Sequence, residues 1–164
     1  NSMNTTTTNQ SEQKTVLLSK KGMKELRKSI AQLEHDRQSI RRSLRESDKT
    51  SNHDDRFERS ERLQRLETLE SELVEKQQAL LRAKLIPSKR TRMKVAIGSV
   101  VDLIDQSGRI IRYTIVDSIE ANPSDGRISA LSPLGSTLLG KTVQDIVEWG
   151  NGLQRSSFQL VKIT

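Results

Sequence analysis

The sequence predicts a two-domain α+β protein, with an N-terminal antiparallel helical hairpin (coiled coil) and a C-terminal antiparallel β domain that includes one short helix. Apolar residues recur at helical spacing in two stretches, from Met23 to Leu44 and from Leu63 to Leu81. Beyond Pro87 the apolar period changes to two, and the strand-forming residues Val, Ile and Thr become frequent. A polar segment between the helical stretches supplies the turn of the hairpin.

The first helix is predicted to begin after Ser19, because serine is a favoured helix N-cap. Its apolar face holds Met23, Leu26, Ile30, Leu33, Ile40 and Leu44. From Leu26 onward these residues follow a heptad seam, in which Arg37 occupies one position. A helix reaching Glu46 would be about 40 Å long, at about 1.5 Å per residue. The polar residues 1–15 before it are predicted to form a disordered tail.

The second helix is predicted to follow a turn near residues 47–55, where Ser, Asp, Thr and Asn cluster, and to end at Pro87. Its apolar stripe is expected to comprise Leu63, Leu66, Leu69, Leu73, Val74, Leu80 and Leu81. Two helices of similar length joined by a short loop pack antiparallel. Residues 16–87 are therefore predicted to form the hairpin.

The C-terminal domain is predicted to cover residues 95–164, after a basic linker at 88–94. Segments that alternate in strand fashion lie at 99–105, 109–119, 127–131, 145–149 and 156–163, with glycine-containing turns between several of them. Residues 132–140 interrupt the strands. Pro133 near a helix start and Gly140 as a C-cap predict one short helix there.

Composition narrows the function classes. Hydrophobic residues are 32% of the chain, aromatic residues 2% and charged residues 30%, and the net charge of +7 favours partners rich in phosphate or carboxylate. The chain has no cysteine, and His35 and His53 lie on different segments, which excludes a structural zinc site. No apolar run approaches the roughly 20 residues that span a bilayer, so we expect a cytoplasmic protein without a membrane partner.

Three separated segments resemble one protein family. Ser132 to Val147, SPLGSTLLGKTVQDIV, is similar to the signature segment of the Gre transcript-cleavage factors, GreA and GreB. Leu17 to Leu33, LLSKKGMKELRKSIAQL, is similar to the start of their first helix, and Ala83 to Ile86, AKLI, stands where their second helix ends. The chain is identified as a member of this family over roughly Val16 to Ile163.

The resemblance implies an FKBP-like fold for residues 95–164. It also implies that this domain docks on bacterial RNA polymerase at the entrance of the secondary channel, while the hairpin enters the channel. Ser132 and Pro133 match the docking loop of the family, and Leu131 stands where a polar residue is usual. Prolyl isomerase activity is not expected from the fold alone, nor is any free-standing enzyme, because no phosphate loop or catalytic triad is present.

The hairpin tip is where this chain departs from the family. Two tip acids in the family help to hold a second Mg²⁺ in the polymerase active site, in contact with the 3′ end of the nascent RNA. Counting back from AKLI places Asn52 on the first acid and Asp55 on the second, and counting forward from Gly22 shifts the register by about one residue. Asp54 and Asp55 are therefore the candidate metal ligands, with Asn52 as a neutral oxygen ligand. The alternative is structural, with Asn52 as a helix N-cap and the two acids complementing the helix dipole.

A second candidate surface is an arginine stripe on the first helix. Arg37, Arg41 and Arg45 are spaced by four, which places them on one face, and Arg42 lies beside them. This face could contact RNA phosphates or an acidic channel wall. The alternative is a solvated face, with Arg37 extending its charged end from the seam into water.

Three functions are open at this point. The first is a monomeric elongation factor, without a tightly bound cofactor, that stimulates RNA polymerase to cleave backtracked RNA with Mg²⁺ shared at the polymerase site. The second is a channel-binding regulator that does not stimulate cleavage. The third is a coiled-coil protein that binds nucleic acid independently of polymerase, which predicts salt-sensitive binding to free RNA or DNA.

Overall fold

The computed structural model describes residues 14–47, 56–89 and 92–164. The N-terminal part contains β1 (Val16–Leu18), α1 (Lys20–Ser47), α2 (Arg56–Arg82) and β2 (Ala83–Leu85). The C-terminal part contains β3 (Val100–Asp105), β4 (Ile110–Val116), β5 (Arg127–Ser129), α3 (Pro133–Leu138), β6 (Ile146–Asn151) and β7 (Gln154–Ile163). The predicted two-domain α+β class is confirmed. The predicted tail at 1–15 and tip at 47–55 lie almost wholly outside the described residues.

The two long helices pack along each other in opposite directions. Ser29 of α1 lies against Lys76 of α2, whereas Arg41, further along α1, lies against Glu70, which is earlier in α2. The base of the hairpin is closed by an apolar cluster that comprises Val16, Leu18, Leu26, Ile30, Leu73 and Ala79. None of the helices in the described ranges has the length and apolarity that crossing a membrane requires.

The apolar stripe of α2 differs from the prediction. Val74 is 51% exposed and Leu81 87% exposed, while the smaller Ala79 is buried in the helix interface. The α2 sequence carries more leucines and valines than one face can hold, and the surplus points to solvent. Leu63, which was also predicted on this stripe, is 47% exposed, so spacing alone wrongly predicted burial for three residues.

The end of α2 also differs from the prediction, since the helix stops at Arg82 rather than at Pro87. Residues 83–85 instead form β2, which pairs in parallel with β1, placing Val16 opposite Ala83. The Ile86 N–H continues this ladder by donating to the Leu18 carbonyl at 2.9 Å. Strand pairing at the base satisfies backbone groups that a further helical turn would have used.

The C-terminal sheet has the strand order β5-β4-β3-β7-β6. The pairs β3–β4, β3–β7 and β6–β7 are antiparallel, as predicted. The pair β4–β5 is parallel, so the prediction of a wholly antiparallel sheet is wrong at this edge. Two short 3₁₀ turns, Ser118–Glu120 and Pro123–Asp125, carry the chain back and allow β5 to run in the same direction as β4.

One face of this sheet forms the core of the domain with α3. The strands contribute buried Val101, Leu103, Ile115, Val147 and Leu160, and α3 contributes Leu138. The predicted helix start at Pro133 is confirmed, and Gly140 follows the C-cap with a φ of 80°, a conformation that favours glycine. This packing fixes the position of the loop that precedes α3.

Candidate functional site

The loop at residues 131–133 is exposed on a rigid base. The hydroxyl of Ser132 donates to the Ser129 carbonyl at 2.6 Å and accepts the Gly135 N–H at 3.1 Å, so Ser132 is the N-cap of α3. Leu131 is 77% exposed, and Pro133 is also exposed. Ser132 therefore shapes the loop, and its two neighbours present the surface.

Two further contacts hold this loop in place. The Leu131 N–H donates to the Ser129 hydroxyl at 3.1 Å, and that hydroxyl also lies 2.8 Å from the hydroxyl of Ser118 in the first 3₁₀ turn. Gly135 is buried, and a Cβ there would overlap the Ser129 backbone. The loop is thus tied both to α3 and to the connection that follows β4.

The hairpin carries a basic groove that unites three of the four predicted arginines. Arg37, Arg41 and Arg45 line a shallow groove of about 810 Å³, whose other lining residues are Glu34, Gln38 and Leu44. Arg41 forms a salt bridge of 2.7 Å with Glu70 of α2. Arg42 is exposed but lies outside this groove.

The predicted tip residues Asn52, Asp54 and Asp55 lie outside the described residues, so the structure does not test their roles. Helix α2 begins after them at Arg56, and its second residue, Phe57, is 72% exposed. Over the parts of the chain that the structure describes, no three acidic or histidine side chains are grouped as a metal site.

A contact between the two domains was missed by the sequence reasoning. Glu120, in the first 3₁₀ turn of the C-terminal domain, is only 9% exposed. Its carboxylate accepts the Ser19 backbone N–H at 2.9 Å and the Ser19 hydroxyl at 2.5 Å, across 101 residues of sequence. The Ser19 hydroxyl in turn accepts the Gly22 N–H at 2.9 Å, which confirms Ser19 as the N-cap of α1. The sequence signal for this contact is that the first turn of α1 has no acidic residue. Residue spacing could not identify Glu120 as the carboxylate that binds Ser19.

Several carboxylates of the C-terminal domain have lowered pKa values for structural reasons. A hydrogen bond from Arg112, at 2.7 Å, lowers the pKa of Asp102. Hydrogen bonds from the backbone and hydroxyl of Thr142 lower the pKa of Asp145. These acids brace turns and strands, and none of them lies in the loop or the basic groove.

Together these features define a protein in which a small β domain, with a rigid exposed loop, carries a long helical hairpin with a basic groove. Residues 90–164 match the family model described as transcription elongation factor, GreA/GreB, C-terminal. Among curated relatives, the transcription elongation factor GreA of Mycoplasma pneumoniae is 33% identical over 135 residues, which cover 78% of this chain and 82% of the relative. The GreA of Thermomicrobium roseum is 34% identical over 133 residues, which cover 79% and 85%.

The chain therefore belongs to the GreA/GreB family of transcription elongation factors. Among solved structures, GreA factor homolog 1 (Gfh1) of Thermus thermophilus is 26% identical, with coverage of 92% of this chain and 99% of that chain and a TM-score of 0.45.

Proposed function

We propose that this protein is a transcription elongation factor that binds bacterial RNA polymerase through its secondary channel and stimulates cleavage of the 3′ end of backtracked RNA. The cleavage is carried out by the active site of the polymerase and allows arrested complexes to resume. The observation that supports this proposal is family membership over both domains, because the match to the GreA of Mycoplasma pneumoniae covers 78% of this chain and so includes both the hairpin and the loop-bearing domain.

Docking is assigned to the exposed loop of the C-terminal domain. Because the Ser132 hydroxyl is engaged inside the domain, the contact surface is supplied by Leu131 and Pro133. Leu131 presents an apolar side chain where the family usually has a polar one. The partner surface should therefore offer an apolar patch, whose burial would favour binding.

The basic groove of the hairpin is assigned to phosphate or acidic contacts within the channel. Arg37 and Arg45 line it together with Arg41, which also pairs with Glu70. Since Arg41 is partly neutralised by this pairing, Arg45 is the better candidate for contact with RNA. Such contacts weaken as salt concentration rises.

The tip residues are assigned to the polymerase active site. Asp54, Asp55 and Asn52 offer two carboxylates and one amide oxygen, the oxygen ligands that suit Mg²⁺. A bound Mg²⁺ would orient and activate water for phosphodiester hydrolysis. The tip acids of this chain contribute negative charge. The asparagine at position 52 is neutral, whereas the family has an acid there.

The test uses backtracked complexes of the cognate polymerase with labelled RNA. The wild-type protein should shorten the RNA, and the double variant Asp54→Ala/Asp55→Ala should bind with unchanged affinity and leave the RNA intact. Glu61→Ala is the matched control, because Glu61 is an exposed acid of α2 close to the tip in sequence. Binding by the wild-type protein without any shortening of the RNA would overturn the proposal.

A second function is favoured by one observation, the asparagine at position 52 where the family's first acid falls. With less charge at the tip, the factor would occupy the channel without promoting cleavage. It would then slow elongation or initiation and leave RNA lengths in backtracked complexes unchanged. The same experiment separates the two functions.

A further inference from the structure

The junction between the two domains is a helix cap completed by a residue of the other domain. In a capping box, the N-cap hydroxyl binds the backbone N–H of the third helical residue, whose Glu or Gln side chain binds the N-cap backbone N–H in return. Here Ser19 is the N-cap and Gly22 is the third helical residue, which has no side chain. Glu120 supplies the missing carboxylate from the C-terminal domain.

Gly22 is what makes this arrangement possible. A Cβ at position 22 would overlap the carboxylate of Glu120, so any larger residue would displace it. The space that an ordinary capping-box side chain would fill is occupied by Glu120 instead. The first turn of α1 therefore depends on the other domain for its second acceptor.

The 3₁₀ turn that carries the Glu120 carboxylate is itself fixed by hydrogen bonds. The first 3₁₀ turn is closed by the Glu120 N–H, which donates to the Asp117 carbonyl at 2.9 Å, and is capped by the Asp117 side chain, which accepts the Ile119 N–H at 3.1 Å. Ser118 of the same turn lies 2.8 Å, hydroxyl to hydroxyl, from Ser129. Ser129 in turn holds the loop at 131–133, so hydrogen bonds connect the base of the hairpin to that loop.

The space beside this contact is open. A cleft of about 640 Å³ opens next to it, between Lys21 and Lys76 of the hairpin and Ile119 and Arg127 of the C-terminal domain. The junction is therefore not filled by apolar packing there. Two charge-assisted hydrogen bonds to one residue, at the positive end of a helix, are well suited to fix a direction.

We propose that Glu120 is a positioning residue that sets the direction in which the hairpin leaves the C-terminal domain. Its effect on direction concerns the free protein alone. Its effect on activity rests on the proposed function, since docking through the loop at 131–133 would then aim the hairpin tip along the channel. Hydrogen bonds to a charged group contribute substantially to stability. Their loss should therefore raise the ratio of molecules with a freely oriented hairpin to molecules with a fixed hairpin by about 10- to 100-fold.

The direction can be measured in the full chain by pulsed EPR. The chain has no cysteine, so spin labels can be placed through Arg65→Cys on α2 and Gln106→Cys in the turn after β3, both exposed positions. We expect one narrow distance distribution in the parent and a broadened or shifted one in Glu120→Ala. Glu120→Gln keeps one acceptor oxygen and should lie between them.

Two further variants separate a positioning role from a general loss of structure. Gly22→Ala keeps Glu120 and raises helix propensity by about 1 kcal/mol, yet it should broaden the distribution as much as Glu120→Ala. The double variant should be no broader than Glu120→Ala alone, because both changes act on one contact. Glu25→Ala, which removes an acid lining the same cleft, is the control and should match the parent.

A Glu120→Ala distribution that coincides with the parent would overturn the positioning role. So would equal broadening in Glu25→Ala. In the polymerase assay, Glu120→Ala should lower the cleavage rate about tenfold or more while the affinity for polymerase is retained. If the wild-type protein shortened no RNA, the proposed function would fail, and the distance distributions would still decide the role of Glu120.

Discussion

The hydroxyl of Ser132 offers the sharpest test of how the exposed loop is built. Ser132→Ala removes the acceptor of the Gly135 N–H at 3.1 Å and the donor to the Ser129 carbonyl at 2.6 Å. Loss of a serine N-cap costs about 1 kcal/mol, and loss of the second hydrogen bond costs about 1 kcal/mol more. The Ser129 carbonyl keeps one partner, the Ser132 N–H at 3.0 Å, so no larger penalty is expected.

This loss of about 2 kcal/mol should appear in both stability and binding. In a domain of about 70 residues, it corresponds to a fall in Tm of roughly 8–16 °C, measurable by scanning calorimetry. Affinity for polymerase, measured by equilibrium binding of the labelled factor, should fall by about 5- to 30-fold, because the loop is no longer held in its bound shape. Ser132→Thr keeps the hydroxyl and should restore both values.

The two measurements must move together. If Ser132→Ala weakened binding and left Tm unchanged, the hydroxyl would be a direct contact with the polymerase. The conclusion that Ser132 acts by shaping the loop would then be refuted.

Three further outcomes follow from the structure. Leu131→Ala should weaken polymerase binding about tenfold with Tm unchanged, because this side chain is 77% exposed and contributes to the surface only. Hydrogen bonds from Thr142 lower the pKa of Asp145 in the folded state, so the contribution of Asp145 to stability is present above about pH 4 and lost as the pH falls further. In Asp145→Asn, the free energy of unfolding measured with urea should therefore vary less between about pH 5 and pH 2 than in the parent. Leu73→Ala, at a position 1% exposed, should lower the free energy of unfolding by about 2–5 kcal/mol, whereas Leu81→Ala should change it by less than about 0.5 kcal/mol.

Local patterns predicted the elements whose causes are local. The N-cap at Ser19, the start of α3 at Pro133 and the glycine conformation at 140 depend on neighbouring residues, and all three are observed. The seam of α1 was also predicted, because its apolar residues occupy a single stripe. On α2 the apolar residues exceed one stripe, and only packing against α1 decides that Ala79 is buried and Leu81 exposed.

Features that depend on distant partners were not predicted. Residues 83–85 form a strand because β1, more than 60 residues away, offers a backbone to pair with. Strand β5 is parallel to β4 because of the path taken by the 3₁₀ turns. Glu120 belongs to the same group, since nothing in its neighbourhood indicates that it caps the helix at Ser19.

The departure at the tip bears directly on mechanism. In the register counted back from AKLI, Asn52 stands where the family has its first acid, and the proposed function assigns Asp54 and Asp55 as the carboxylates offered to the polymerase active site. Restoring the acid with Asn52→Asp adds one negative charge where a cation is to be attracted. Cleavage by this variant should therefore be faster than cleavage by the wild-type protein.

The most direct test of the central claim is the time course of RNA length in purified backtracked complexes of the cognate polymerase, with saturating factor and Mg²⁺. The wild-type protein is expected to shorten the RNA from its 3′ end and to allow elongation to resume, and Asn52→Asp to do so faster. Full-length RNA throughout the time course, in complexes shown to contain the bound factor, would contradict the claim.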